Sequence, residues 1–178
     1  EIGLGQAPQR GKDEPDLGGL PTFEHLFNQI YRHGKLGGGV KAHADLPHHL
    51  LEDTGMCLGL TIKEALGDRR GIERFANLVV PFNGSLATVA LDLSGRGCAT
   101  IDFRDMDNQS MGGMAQHLFE SIAVNGAFDL YGKVETVGQI SIRSDHHKLE
   151  AFCKALGTTL FRATRVVGTD IPSTKGSL

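Results

Sequence analysis

A chain of 178 residues is long enough to bury one full core, or two half-domains that share one. Its formal charge of −3, with lysine and arginine dispersed, offers no basic stripe to nucleic acid, and no apolar run approaches the roughly 18 residues of a membrane span. Cys57, Cys98 and Cys153 are an odd number without ligand-like spacing and read as reduced thiols; with no charged-then-apolar leader, the expected location is the cytoplasm. Residues 1–21, rich in glycine, proline and charge, predict an irregular arm that ends at Pro21. From Thr22 onward, Phe23, Leu26, Phe27 and Ile30 have the spacing of an amphipathic helix ending near His33-Gly34, and His25 and Gln29 share one of its faces.

Glycines 37–39 predict a turn, and residues 40–46 alternate as a short strand would. A helix should follow from His48 to about Leu66, burying Leu51, Gly55, Leu58, Ile62 and Leu66, with Gly67-Asp68 as its stop. Residues 69–77 read as a basic turn and short helical piece carrying Arg69, Arg70 and Arg74. Strands are expected over 78–81, 86–93 and 98–103, and the turn at 94–97 presents Arg96 at the sheet edge. After a polar linker at 104–110, Met114, Leu118, Phe119 and Ile122 mark a helix over 114–124. Residues 130–142 predict a strand or hairpin interrupted by Gly132 and Gly138. The next helix buries Leu149, Cys153, Leu156 and Leu160, and residues 168–178 form a polar tail.

One short word is spelled twice: His48-His49-Leu50-Leu51-Glu52 and, 98 residues later, His146-His147-Lys148-Leu149-Glu150. An isolated His-His pair is ordinarily a surface or cap feature. Two copies, each with Glu at the same offset and each opening a helix, point to metal binding. The first histidine and the glutamate, four apart, project from one side of the helix and can share an ion. The second histidine is rotated by roughly 100° and aims elsewhere, which predicts more than one metal per active unit. Imidazole and carboxylate without thiolate suit Mn, Fe, Zn or Ni.

The surroundings of the word repeat as well, since His25-Leu26-Phe27 with Ile30 is echoed by His117-Leu118-Phe119 with Ile122. Each half is a helix with an internal histidine, a strand, and a helix opened by the metal word. The predicted fold is therefore α+β, with duplicated half-domains (22–103 and 104–167) whose antiparallel sheets pack against a layer of helices.

These residues resemble the imidazoleglycerol-phosphate dehydratase family of histidine biosynthesis. The resemblance runs from about Thr22 to Leu178 and is densest at His48 through Gly55, at Ala65 through Ile72 with Arg74-Phe75, and at Leu91 through Arg96. It continues at His146 through Leu156 and at Pro172-Ser173-Thr174-Lys175-Gly176. It implies a manganese-dependent hydro-lyase acting on a phosphorylated imidazole, with two Mn2+ per active site, assembled as a homo-oligomer of 24 subunits with metal sites between subunits. By position, it implies that His25, His48, His49, Glu52, His146, His147 and Glu150 bind metal. Gln29, Arg74, Arg96, Lys154, Ser173 and Lys175 would bind the substrate phosphate. Glu52, Glu150, His49 and His147 are catalytic in the sense that their ions carry the reaction.

The chain departs from the family pattern in four places. Residues 1–21 lack the usual glutamate-bearing strand, and an acidic pair is missing before His48. Asn83-Gly84 stands where an Asp-Glu pair is usual, and Tyr131 replaces a histidine. The departures define a competing expectation: a relative that keeps metal and phosphate binding with weak turnover or none.

Overall fold

The structure, a computed structural model, describes residues 15–107, 111–137 and 144–178. Helix α1 (Pro21–Gly34) begins with proline at its first turn, where no N–H is needed. It ends on Lys35, whose left-handed backbone (φ 48°) lets its N–H close on the Tyr31 carbonyl. Helix α2 (Pro47–Leu66) opens on a proline in the same way and stops at Gly67 (φ 53°). Strands β1 (Phe75–Phe82) and β2 (Ser85–Asp92) form a hairpin around Asn83-Gly84. Both of these residues have positive φ (43° and 76°), which is the Asn-Gly pattern of a two-residue turn whose twist matches the strands. Strand β3 (Cys98–Asp102), helix α3 (Met111–Gly126), strand β4 (Asp129–Thr136) and helix α4 (Asp145–Ala163) complete the order.

The four strands make one sheet in the order β1-β2-β4-β3, antiparallel except for the β3–β4 pair, which is parallel. Alternation along β2 buries Ser85, Ala87, Val89 and Leu91 beneath the helices and turns the intervening residues to the other face. Helix α4 lies over β1, β2 and β4, while α3 covers β3. Gly132 is no interruption of β4. A methyl group there would sit 2.4 Å from the Phe152 ring, so the glycine makes room for the centre of the core. Phe152 meets Phe103 and Phe119 at centroid distances of 5.1 and 4.6 Å.

Helix α1 packs on α4, and α2 packs on α3. The two pairs cross at matching glycines. A methyl at Gly157 would sit 2.6 Å from the Ile30 carbonyl oxygen and 2.9 Å from the Gly34 nitrogen; at Gly59 it would sit 2.6 Å from the Ile122 carbonyl and 2.8 Å from the Gly126 nitrogen. Ile30 answers to Ile122, Gly34 to Gly126 and Gly157 to Gly59 in the internal repeat, so the duplication extends to the helix contacts. The α+β fold with duplicated half-domains stands as the sequence predicts.

Three local expectations are corrected. Residues 40–46 form no strand: Asp16 pairs with Lys41 as an isolated bridge, and among the described residues no ladder extends it. Residues 69–77 contain no helical piece. Instead Arg69 is buried, donating to the Gly126 and Ala127 carbonyls at the end of α3 (3.4 and 3.3 Å), and the chain passes into β1. The predicted strand of 130–142 closes at Thr136, and Gly138 and Ile142 lie outside the described residues, as does most of the arm at 1–21. Among the described residues, no helix is long and apolar enough to cross a membrane.

Candidate functional site

Helix α4 is anchored at the end that carries the second metal word. Ser144 caps it, accepting the His147 N–H, and buried Lys148 ties its first turn to Asp105 (3.3 Å) and Asp145 (3.4 Å). A helix held in this way presents His146 and Glu150 one turn apart toward α1, from which His25 reaches across.

The His25 and His146 Nε2 atoms both lie 3.4 Å from Glu150 Oε2, and the two rings stack at 5.3 Å with 24° between their planes. The three ligand atoms all fall within 4.8 Å of one another. Metal–nitrogen and metal–oxygen bonds of about 2.0–2.2 Å place neighbouring ligands roughly 3–3.5 Å apart, so this trio fits a divalent ion. The other Glu150 oxygen accepts from Lys154 Nζ at 2.8 Å, and the ammonium rests 3.5 Å over the Phe82 ring. Burial pushes the Glu150 carboxyl up, but hydrogen bonds from Lys154 and His25 together with the Lys154 charge outweigh it. The net shift is downward and keeps the ligand anionic.

Gln29 Nε2 lies 3.4 Å from His25 Nε2, one turn further along α1. A second turn brings His33 to the same stripe. Partial burial and then the Lys154 and Arg32 cations lower its pKa, and Glu150 opposes them. His33 is absent from the residues that the sequence singles out, although the spacing 25, 29, 33 is the signal that would have found it.

His147 does not join the trio. Its ring stands edge-on to Phe82 at 5.6 Å, which agrees with the rotation expected of the second histidine. His48 and His49 contact each other at 4.2 Å, and His49 Nδ1 lies 3.1 Å from Asp45, holding that carboxyl below its usual range. His48 and Glu52 line a separate pocket of about 180 Å3 between α2 and α3. The two metal words of one protomer thus sit on different helix pairs.

The remaining residues of the expected phosphate set gather elsewhere. Arg74, Arg96, Ser173 and Lys175 line a cavity of about 750 Å3 under the C-terminal tail. Arg74 is a strut here: its guanidinium donates to Asp92 (2.7 and 3.1 Å) and to the Pro172 carbonyl (2.7 Å), which fixes the tail over the end of β2. Ser173 Oγ accepts the Lys175 N–H at 3.2 Å, and Gly176 (φ 71°) completes the turn. The Arg74 N–H also reaches the Ala163 carbonyl at the last turn of α4. Glu150 lies 13 residues back along that helix, about 20 Å at the α-helical rise. Gln29 and Lys154 stand at the metal cluster and the other four at this cavity, a division that the sequence did not reveal.

Such a molecule is a metal-binding α+β protein built by internal duplication, with a cation-lined cavity apart from its metal cluster. A family profile described as "Imidazoleglycerol-phosphate dehydratase" matches residues 18–160. Proteins of that name from Methanothermobacter thermautotrophicus and Lacticaseibacillus casei are each 41% identical to this chain, over 170 and 168 residues. These alignments cover 90% and 89% of this chain and 82% and 83% of the relatives. The crystal structure of the protein called IGPD from Pyrococcus furiosus shares the fold at a TM-score of 0.81 and 24% identity, covering 100% of this chain and 94% of that one. The Staphylococcus aureus dehydratase structure does so at 0.77 and 22%, covering 93% and 92%. The chain belongs to the imidazoleglycerol-phosphate dehydratase family.

Proposed function

We propose that this chain is a metal-dependent hydro-lyase that converts imidazoleglycerol phosphate to imidazole-acetol phosphate. The observation that carries the proposal is the His25–His146–Glu150 trio, which has ligand spacing in a member of this family. The proposed ions are Mn2+, two per active site, held by the set His25, His48, His49, Glu52, His146, His147 and Glu150. Bound there, they supply positive charge beside the substrate's ring nitrogens and departing hydroxyl.

The protein's own groups do the rest by placement. Lys154 keeps Glu150 ionised and oriented, while Gln29 and His33 add polar groups along the same face of α1. Arg96, Lys175 and Ser173 hold the phosphate in the cavity that Arg74 braces. Loss of hydroxide from the carbon attached to the ring, driven by the ring's electrons, and of a proton from the next carbon gives an enol, which tautomerises to the ketone. Glu52, Glu150, His49 and His147 act through the ions they hold.

The separation of about 20 Å along α4 exceeds the length of a small phosphorylated heterocycle. We therefore assign the two parts of one active site to two chains. Such sharing requires a homo-oligomer, and the closed shell of 24 subunits is the assembly that the family resemblance implies.

One observation favours a second reading, in which the chain binds substrate without turnover. The turn at Asn83-Gly84 replaces an acidic pair, and a carboxamide cannot carry a proton. The deciding assay strips the protein of metal, adds back Mn2+ and follows ketone formation from imidazoleglycerol phosphate. Restored turnover is the expected result; tight substrate binding with no product selects the non-catalytic relative.

A further inference from the structure

Arg74, Arg96 and Lys175 all line the cavity under the C-terminal tail, but they are not equivalent. The Arg74 guanidinium is committed to Asp92 and to the Pro172 carbonyl. The Arg96 guanidinium and the Lys175 ammonium have no such partner among the described residues, so they are the groups left to meet an anion. An acidic residue nonetheless stands close by. Asp129 opens β4 directly opposite Asp92 on β2, and two carboxylates in that register repel unless each is compensated. Arg74 compensates Asp92, whereas Asp129 is held by the buried Ser94 hydroxyl, 2.5 Å from its Oδ2. Ser94 Oγ also lies 3.2 Å from the Arg96 nitrogen and 3.2 Å from the Arg96 carbonyl oxygen. A hydroxyl has one proton, and the short bond to a carboxylate is the stronger claim on it. The proton therefore goes to Asp129, and a lone pair of the same oxygen accepts the Arg96 N–H.

We infer that Ser94 is a positioning residue for phosphate binding, masking the Asp129 carboxylate so that the Arg96 guanidinium stays free for the anion. The inference rests on the reading of this cavity as the phosphate site. Through Ser94, Asp129 stands only two hydrogen bonds from the Arg96 backbone, within reach of a side chain as long as arginine's. Without the hydroxyl between them, the carboxylate and the guanidinium would form the kind of pair that makes Arg74 a strut, and an arginine neutralised in that way holds phosphate weakly. The backbone supports the arrangement: Gly95, at φ 81°, supplies the left-handed step that turns the Arg96 N–H back onto Ser94.

The test is calorimetric titration of the intact protein with inorganic phosphate, in wild type, S94A, D129N and S94A/D129N. S94A should weaken phosphate binding by roughly tenfold, the scale of one charge-assisted hydrogen bond. D129N should bind at least as well as wild type, because its amide oxygen still accepts from Ser94 and no charge competes for Arg96. S94A/D129N should recover most of the wild-type affinity. A hydroxyl that served only to shape the turn would leave the double variant as weak as S94A, and that result would overturn the masking role, as would unchanged affinity in S94A. Thermal melts check that each variant folds. If S94A does not, D129N alone decides, since weaker binding in D129N contradicts a competing charge. Wild type that binds no phosphate would overturn the reading of the cavity, and this inference with it.

Discussion

Replacing Glu150 with glutamine is expected to lower turnover by about three orders of magnitude, the cost of several kcal/mol of lost charge stabilisation. The substitution keeps the shape of the side chain and removes its charge. An amide in place of Oε2 would turn a neutral oxygen or an N–H toward His25 and His146, both now at 3.4 Å from a carboxylate. Lys154, at 2.8 Å from Oε1, would lose its counter-charge as well. Steady-state kinetics with excess Mn2+, together with Mn2+ titration, should show turnover and affinity falling while the helical circular dichroism is unchanged. Wild-type kinetics in this variant would mean that the trio is not the metal centre.

Gly157→Val is expected to destabilise the protein by about 3 kcal/mol, the upper part of the usual range for overpacking. The melting temperature should then fall by roughly 6–12 °C for a chain of this size. The Ile30 carbonyl and Gly34 amide that a side chain would meet belong to helix backbone, so relief requires α1 to move away from α4. That motion separates His25 from Glu150, and Mn2+ binding at the trio should weaken along with stability. Gly59→Val meets the same obstruction on the other pair and should cost a similar amount, leaving the trio in place. Thermal melts of both variants, with Mn2+ titrations, check this. A valine at either position that melts like wild type would show that the close crossing is not required.

Both expectations rest on features that were unequally visible in the chain. The spans of α1 and α2, expected from Thr22 and His48 and found to begin one residue earlier at Pro21 and Pro47, and the stripe Leu149, Cys153, Leu156, Leu160 on α4 follow from 3.6-residue periodicity. The metal word was legible for the same reason, since a spacing of four puts His146 and Glu150 together on any helix. What periodicity cannot show is which helix faces which. The α1–α4 and α2–α3 pairings depend on bare backbone at Gly34, Gly59, Gly126 and Gly157, and a glycine in a sequence does not announce its partner. The insertion of β4 between β2 and β3 is likewise a long-range choice. The Asn83-Gly84 turn was within reach of sequence reasoning. Read only as a missing acidic pair, it is also the strongest short-range hairpin signal in the chain. The division of the phosphate set between the metal cluster and the tail cavity is not visible in a resemblance, which names residues without placing them.

Complementation between two inactive variants tests the shared active site most directly. H146A removes a ligand of the metal cluster and R96A removes a cation of the distant cavity, so each homo-oligomer should be inactive for a different reason. If each active site takes its metal cluster from one chain and its phosphate cavity from another, co-expression should restore about one quarter of wild-type activity, the share of interfaces that pair two intact parts. Mixed oligomers that form and stay inactive would contradict a site built from two chains.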